Sequence, residues 1–101
     1  MKTNIEEFDD KIVATLEGEL DTTAALQMEQ TLQPLLNNKG RDILIDCTRL
    51  EYIASSGLRI LMAILKRTKA EGKTVTLRNV NEDIKDVFRV TGFLPLFNFE
   101  S

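Results

Sequence analysis

Two adjacent serines, Ser55 and Ser56, followed by Gly57, are the residues of this 101-residue chain with the clearest capacity for chemistry. In the segment Ile53-Ala54-Ser55-Ser56-Gly57-Leu58-Arg59 two hydroxyls sit where a helical pattern begins. The first turn of a helix carries unpaired N–H groups and roughly half a positive charge. That environment suits a phosphate, either bound or attached covalently to a serine. Gly57 leaves room for a partner or a kinase active site to approach the backbone. A plainer reading makes Ser55 the helix N-cap and Ser56 the first helical residue. Spacing alone favours the plainer reading, because serine is a common cap. The chain holds one further serine, Ser101.

Other chemistries are closed off by what is missing. The chain has no His, which removes a histidine general base, a Ser-His pair and a histidine metal ligand. The single cysteine, Cys47, excludes an internal disulfide and a Cys zinc site. It follows an apolar run and reads as a small buried residue with no activating neighbour. Asp42, Asp46, Glu51, Glu82 and Asp83 match no metal-binding loop and read as solvated surface. No Gly-rich phosphate loop is present. Thirteen Lys and Arg against sixteen Asp and Glu leave a net charge of -3, without the basic footprint of a nucleic-acid binder. The absence of a catalytic set argues against an enzyme, and no cofactor or metal is expected.

These residues have to be positioned by a small scaffold. At 43% hydrophobic and 29% charged the composition is that of a globular domain, expected to span residues 1–101 as one unit. No apolar run reaches membrane-spanning length, and the start Met-Lys-Thr-Asn-Ile-Glu-Glu carries no apolar signal region, so a cytoplasmic protein is expected. Residues Asn4 to Phe8 and Lys11 to Leu16 read as a hairpin turning at Asp9-Asp10. Gly18 to Asp21 leaves the second strand. Asp21, Thr22 or Thr23 caps a helix with apolar positions Ala25, Leu26, Met28, Leu32, Leu35 and Leu36, stopped by Asn37-Asn38-Lys39-Gly40. The continuous run Ile43-Leu44-Ile45 predicts a strand covered on both faces. Asp46 to Ser56 then leads to a helix from about Gly57 to Ala70. Its core face is predicted at Leu58, Leu61, Met62 and Leu65, with Ile60 and Ile64 on the other side, either under a neighbouring element or as an exposed strip. Thr74 to Leu77 is a strand, Asn81 to Val90 a helix facing inward through Ile84, Val87 and Phe88, and Phe93 to Phe99 a short edge strand limited by Pro95. Strands alternating with helices predict an α/β fold, with a parallel crossover that sets the Gly57 helix start at the carboxyl edge of the Ile43 strand.

Four short pieces in order resemble the STAS domain of the bacterial anti-sigma factor antagonist type. They are Gly18-Glu19-Leu20-Asp21, Ile45-Asp46-Cys47-Thr48-Arg49-Leu50 with Tyr52-Ile53, Ser55-Ser56-Gly57-Leu58, and Val90-Thr91-Gly92-Phe93. The resemblance covers nearly the whole chain. It implies a single-domain STAS-like fold, a mixed sheet of four to five strands flanked by helices. It also implies a partner-switching binding module in place of an enzyme. In that family the unmodified domain binds an anti-sigma factor that is also a serine kinase, which frees a sigma factor. Phosphorylation of a serine at the helix start breaks the complex, and a metal-dependent serine phosphatase restores it. By this resemblance Ser55 is the phosphoacceptor, and Asp21, Thr22, Thr23, Ser56, Gly57, Leu58 and Arg59 form the partner surface around it. A homodimer is left open. One departure is Ala54, where the family often has an acidic residue directly before the acceptor; alanine offers a kinase no polar contact. The resemblance also admits an alternative, a STAS accessory subunit that docks on a lipid-transport ATPase without phosphorylation.

Overall fold

Alternating apolar residues build the sheet, and strand pairing carries it further than the alternation predicts. The computed structural model describes residues 1–37 and 39–101; Asn38 and the Leu36 side chain, both expected at the helix end and its stop, lie outside the described residues. Strands β1 (Lys2–Glu7) and β2 (Lys11–Leu20) form the antiparallel hairpin, closed by the Phe8 N–H donating to the Lys11 carbonyl at 2.8 Å. After them come α1 (Thr22–Thr31), α2 (Gln33–Leu36), β3 (Asp42–Ile53), α3 (Ser55–Ala70), β4 (Val75–Arg78) and α4 (Glu82–Val90). A 3-10 turn at Leu94–Leu96 leads into β5 (Asn98–Glu100). The five strands lie in sequence order, with β2 through β5 mutually parallel, so the sheet is mixed as expected.

Two strands overrun their predicted ends. β2 continues through Gly18 to Leu20, and β3 continues through Thr48 and Arg49 to Ile53. Each stretch is polar or glycine-bearing and looks like a loop when taken alone. Together they pair, Glu17 with Arg49, Gly18 with Leu50, Glu19 with Tyr52 and Leu20 with Ile53, across register shifts that absorb the irregularity. Gly18 sits at φ +100°, a conformation other residues avoid.

The expectation that β3 is covered on both faces is not met. Ile43, Ile45 and Cys47 are buried with Ile12, Ala14, Leu16, Val75 and Leu77 on one face, where the helices gather. Leu44 points the other way, beside Val13 and Thr76, and is only half-buried. Three consecutive apolar residues here mean one apolar position on an open face.

The helices need similar corrections. Asp21 is the cap of α1, its carboxylate accepting from the Ala24 N–H at 2.8 Å. The inward face of α1 is Ala24, Ala25 and Met28, continued by Leu32 and Leu35, while Leu26 is 69% exposed. At 100° per residue Leu26 falls away from that stripe. Pro34, which lacks an N–H and crowds the residue before it, divides the predicted helix into α1 and α2. On α3 the buried stripe is Gly57, Leu58, Leu61, Ile64, Leu65 and Thr68. Because Gly57 and Thr68 turn inward, the stripe centres on Leu61. Ile64 therefore enters the core, and Met62 and Ile60 become its half-buried flanks. At the other end of the sheet Phe88 of α4 packs against Phe97 and Phe99, ring centroids 5.4 and 5.7 Å away, which holds β5 in place.

Candidate functional site

The paired tails of β2 and β3 bring the serine segment to Asp21. Leu20 and Ile53 are register partners, and the Ala54 N–H donates to the Leu20 carbonyl at 2.8 Å. One residue further on, β2 enters α1 at Asp21 and β3 enters α3 at Ser55. Asp21 and Ser55 thus share one edge of the sheet. The approach is close because Gly57 has no side chain. A Cβ there would lie 2.5 Å from Leu20 Cγ and 3.2 Å from the Leu20 carbonyl oxygen.

Ala54 is the N-cap of α3, with φ −86° and ψ 165°, and makes no side-chain capping bond. Ser55 is therefore the first helical residue and Ser56 the second, so neither fills the cap position that spacing favours for Ser55. Their environments differ. Ser55 is exposed, whereas the Ser56 Oγ is shut off from solvent with no hydrogen-bond partner. Thr22, Thr23 and Arg59 are exposed and Asp21 is half-buried. Gly57 and Leu58 are buried, Leu58 with 3% of its surface accessible. The Leu58 side chain belongs to the core and is not available as contact surface, because position 58 lies within the inward stripe of α3.

Two depressions adjoin these elements, one lined by Ser56 and the other by Asp21. A groove of about 380 Å³ runs between α1–α2 and α3, floored by Leu32, Ile60 and Ile64 and edged by Glu29, Ser56 and Arg59. A shallower one of about 410 Å³ includes Glu19, Asp21, Thr23 and Glu51. Glu29 escaped the sequence reading, since a lone charged residue on a helix carries no signal of its own, and Glu51, read from sequence as solvated surface, lines the second depression beside Glu19. Tyr52, paired with Glu19 and half exposed, is an aromatic at the same edge that periodicity did not single out.

The other reactive types have structural roles. Cys47 is 2% exposed, and burial first, then the neighbouring Asp46 charge, pushes its thiol up to about 12. It is a poor nucleophile. The Asp46 carboxylate accepts from the Thr48 hydroxyl and N–H; mainly the hydroxyl bond, against the opposing effect of burial, holds it below the usual carboxylate range. Asp42 accepts from the Thr74 N–H at 3.0 Å and so ties β3 to β4. Among the described residues no three His, Cys, Asp or Glu side chains gather to hold a metal ion. The overrunning tail of β3 is braced from the far side. The Asn79 amide donates to Thr48 Oγ1 at 2.9 Å. The Asn81 amide donates to the Leu50 carbonyl at 3.2 Å, while its Oδ1 caps α4. Among the described residues no helix is long and apolar enough to cross a membrane.

Comparison with known proteins agrees with this architecture. Residues 4–96 match the family model described as "Mlab, STAS domain". A Bordetella bronchiseptica protein, BtrV, which carries the name of an anti-sigma factor antagonist, is 29% identical over 97 residues, 96% of this chain and 84% of its own length. The anti-sigma factor antagonist SpoIIAA in its unphosphorylated form superposes with a TM-score of 0.82 at 22% identity, over 99% of this chain and 89% of that one. The phosphorylated form of the same Bacillus protein gives 0.75 at 22% identity, over 99% and 92%.

Proposed function

This chain belongs to the STAS domain family, and from that premise we propose that it is an anti-sigma factor antagonist switched by phosphorylation of Ser55. Unmodified, it sequesters in the cytoplasm an anti-sigma factor that is also a serine kinase, and a sigma factor is released. The observation that carries the choice of acceptor is the contrast within the serine pair: Ser55 is exposed at the first helical position, and the Ser56 Oγ is closed off. In support, a relative along nearly the whole chain carries the antagonist name, and SpoIIAA itself has been solved in both phosphorylation states.

The chemistry requires no catalytic group from this chain. The Ser55 Oγ attacks the γ-phosphorus of ATP bound by the kinase. The Oγ–P bond forms as the bridging P–O bond to ADP breaks, and the hydroxyl proton passes to a base of the kinase. The product adds roughly -1.5 to -2 charges at neutral pH. The first turn of α3 tolerates that charge, because its dipole and free N–H groups favour an anion. The fold survives while the surface changes sign. A partner seated over a neutral hydroxyl, with Asp21, Thr22, Thr23, Ser56 and Arg59 around it, meets a hydrated dianion whose desolvation is unfavourable by several kcal/mol. A serine phosphatase removes it.

A second reading, a subunit docking on a transport ATPase without phosphorylation, is favoured by Ala54, which offers a kinase no side-chain polar group before the acceptor. Co-purification from native cells, with mass spectrometry of partners and phosphosites, separates the two. The kinase so recovered should phosphorylate wild type and Ser56→Ala but not Ser55→Ala. Ser55→Ala should bind constitutively and Ser55→Asp poorly. Phosphate on Ser55→Ala, or unchanged affinity after Ser55 is modified, overturns the proposal and promotes the transport reading.

A further inference from the structure

We propose that Arg59 is the intramolecular counter-ion of phosphorylated Ser55, clamping the phosphate along α3 at the rim of the groove. The inference rests on the reading of Ser55 as acceptor and assigns that site an internal stabilising partner. Ser55 and Arg59 are four residues apart on one helix, and both are exposed. That spacing puts their Cβ atoms about 6 Å apart, with the anion N-terminal to the cation, the more favourable of the two orders. Arg59 is the one charged residue in the first two turns, Ser55 to Met62. Among the described residues it makes no ion pair: Glu29 edges the same groove without reaching it, and the salt bridges of the molecule involve other arginines.

The surroundings make a counter-ion necessary. Asp21 shares the sheet edge with Ser55, and Glu19 and Glu51 line a depression with it and with Met1, so a dianion on Ser55 arrives at an edge that already carries acids. Arg59 is the basic side chain lining either depression. Asp21 cannot turn away to relieve the repulsion without giving up its bond to the Ala24 N–H. A guanidinium presents a fork of donors that matches two phosphate oxygens at once, which a lysine ammonium does not. With Ala54 contributing no side-chain cap, the free N–H groups of the first turn face the same phosphate from below.

The test places phosphoserine at position 55 of the full chain by genetic encoding and follows its phosphorus-31 resonance with pH, for Arg59, Arg59→Lys and Arg59→Gln. The second ionisation of the phosphate should fall about half a unit lower with Arg59 than with Arg59→Gln at low salt. The difference should shrink as salt is raised, with Arg59→Lys between the two. Equal ionisation in all three chains at low salt overturns the proposal. Circular dichroism of each chain checks that it is folded, and Arg59→Lys keeps the comparison informative if Arg59→Gln is not. The phosphoserine is installed without a kinase, so the outcome is independent of whether Ser55 is the cellular acceptor; failure of that reading shows separately, as kinase-delivered phosphate on Ser55→Ala.

Discussion

Gly57 is the point at which the start of α3 is pressed onto the end of β2, and replacing it with alanine measures how tightly that edge is built. In Gly57→Ala the new methyl would lie 2.5 Å from Leu20 Cγ, 2.9 Å from Leu20 Cδ2 and 3.2 Å from the Leu20 carbonyl oxygen. Leu20 is fully buried, and its carbonyl is held by the Ala54 N–H, so neither can withdraw freely. Overpacking of this kind costs about 1–3 kcal/mol. Against it, alanine is the better helix former by up to about 1 kcal/mol. The balance is a loss of about 1–2 kcal/mol, or about 4–15 °C in melting temperature for a domain of this size. Urea unfolding of Gly57→Ala, Leu20→Ala and the double variant provides the assay. Leu20→Ala alone should destabilise by about 2–5 kcal/mol. In the Gly57→Ala background it should destabilise less, by at least about 0.5 kcal/mol, because removing Cγ and Cδ2 relieves the two closest contacts. A Gly57→Ala chain as stable as wild type, or strict additivity in the cycle, would refute the close approach. Since the same displacement moves Ser55 relative to Asp21, partner affinity should fall with stability.

Three further outcomes are expected. Leu61→Ala, at the centre of the buried stripe of α3, should lose about 2–5 kcal/mol in denaturant titration; a wild-type midpoint would mean that another face of α3 is inward. The Cys47 thiol is neutral to a higher pH in the folded chain than in the unfolded one, so its contribution is complete below the ordinary thiol value and is lost as pH rises toward about 12. Stability should therefore fall across that alkaline window in wild type and less steeply in Cys47→Ala, and a thiol reagent should label Cys47 only as fast as the chain opens. Asp46, held below its ordinary range, contributes above its unfolded value and loses that contribution as pH falls through the folded one, so the acid limb of the stability profile should be shallower in Asp46→Asn.

Much of this molecule was legible where a local signal and the tertiary context agree. The β-formers of Lys11 to Leu16 marked a strand, Asp21 was one of three cap candidates, and Ile84 and Phe88 were expected on the inward face of the helix after Asn81; burial and the Asp21 capping bond bear each of these out. The serine pair before Gly57 was legible as the place where a helix begins, within two residues. Legibility failed where a residue's role is set by what lies across from it. Leu44 has the same neighbours in sequence as a doubly covered strand residue, and only the position of the helices leaves its face open.

What the sequence by itself determined is the alternation of strands and helices, the absence of histidine chemistry and the location of the serines, because propensity, period and composition are local quantities. Only the tertiary structure decided which serine hydroxyl is reachable, since the Ser56 Oγ is closed off by packing and not by its own neighbours in sequence. The same holds for the shared edge of Asp21 and Ser55. Thirty-three residues of chain lie between them, and what joins them is the hydrogen-bonded pairing of Gly18 to Leu20 with Leu50 to Ile53, segments that resemble loops until each supplies the other's missing strand.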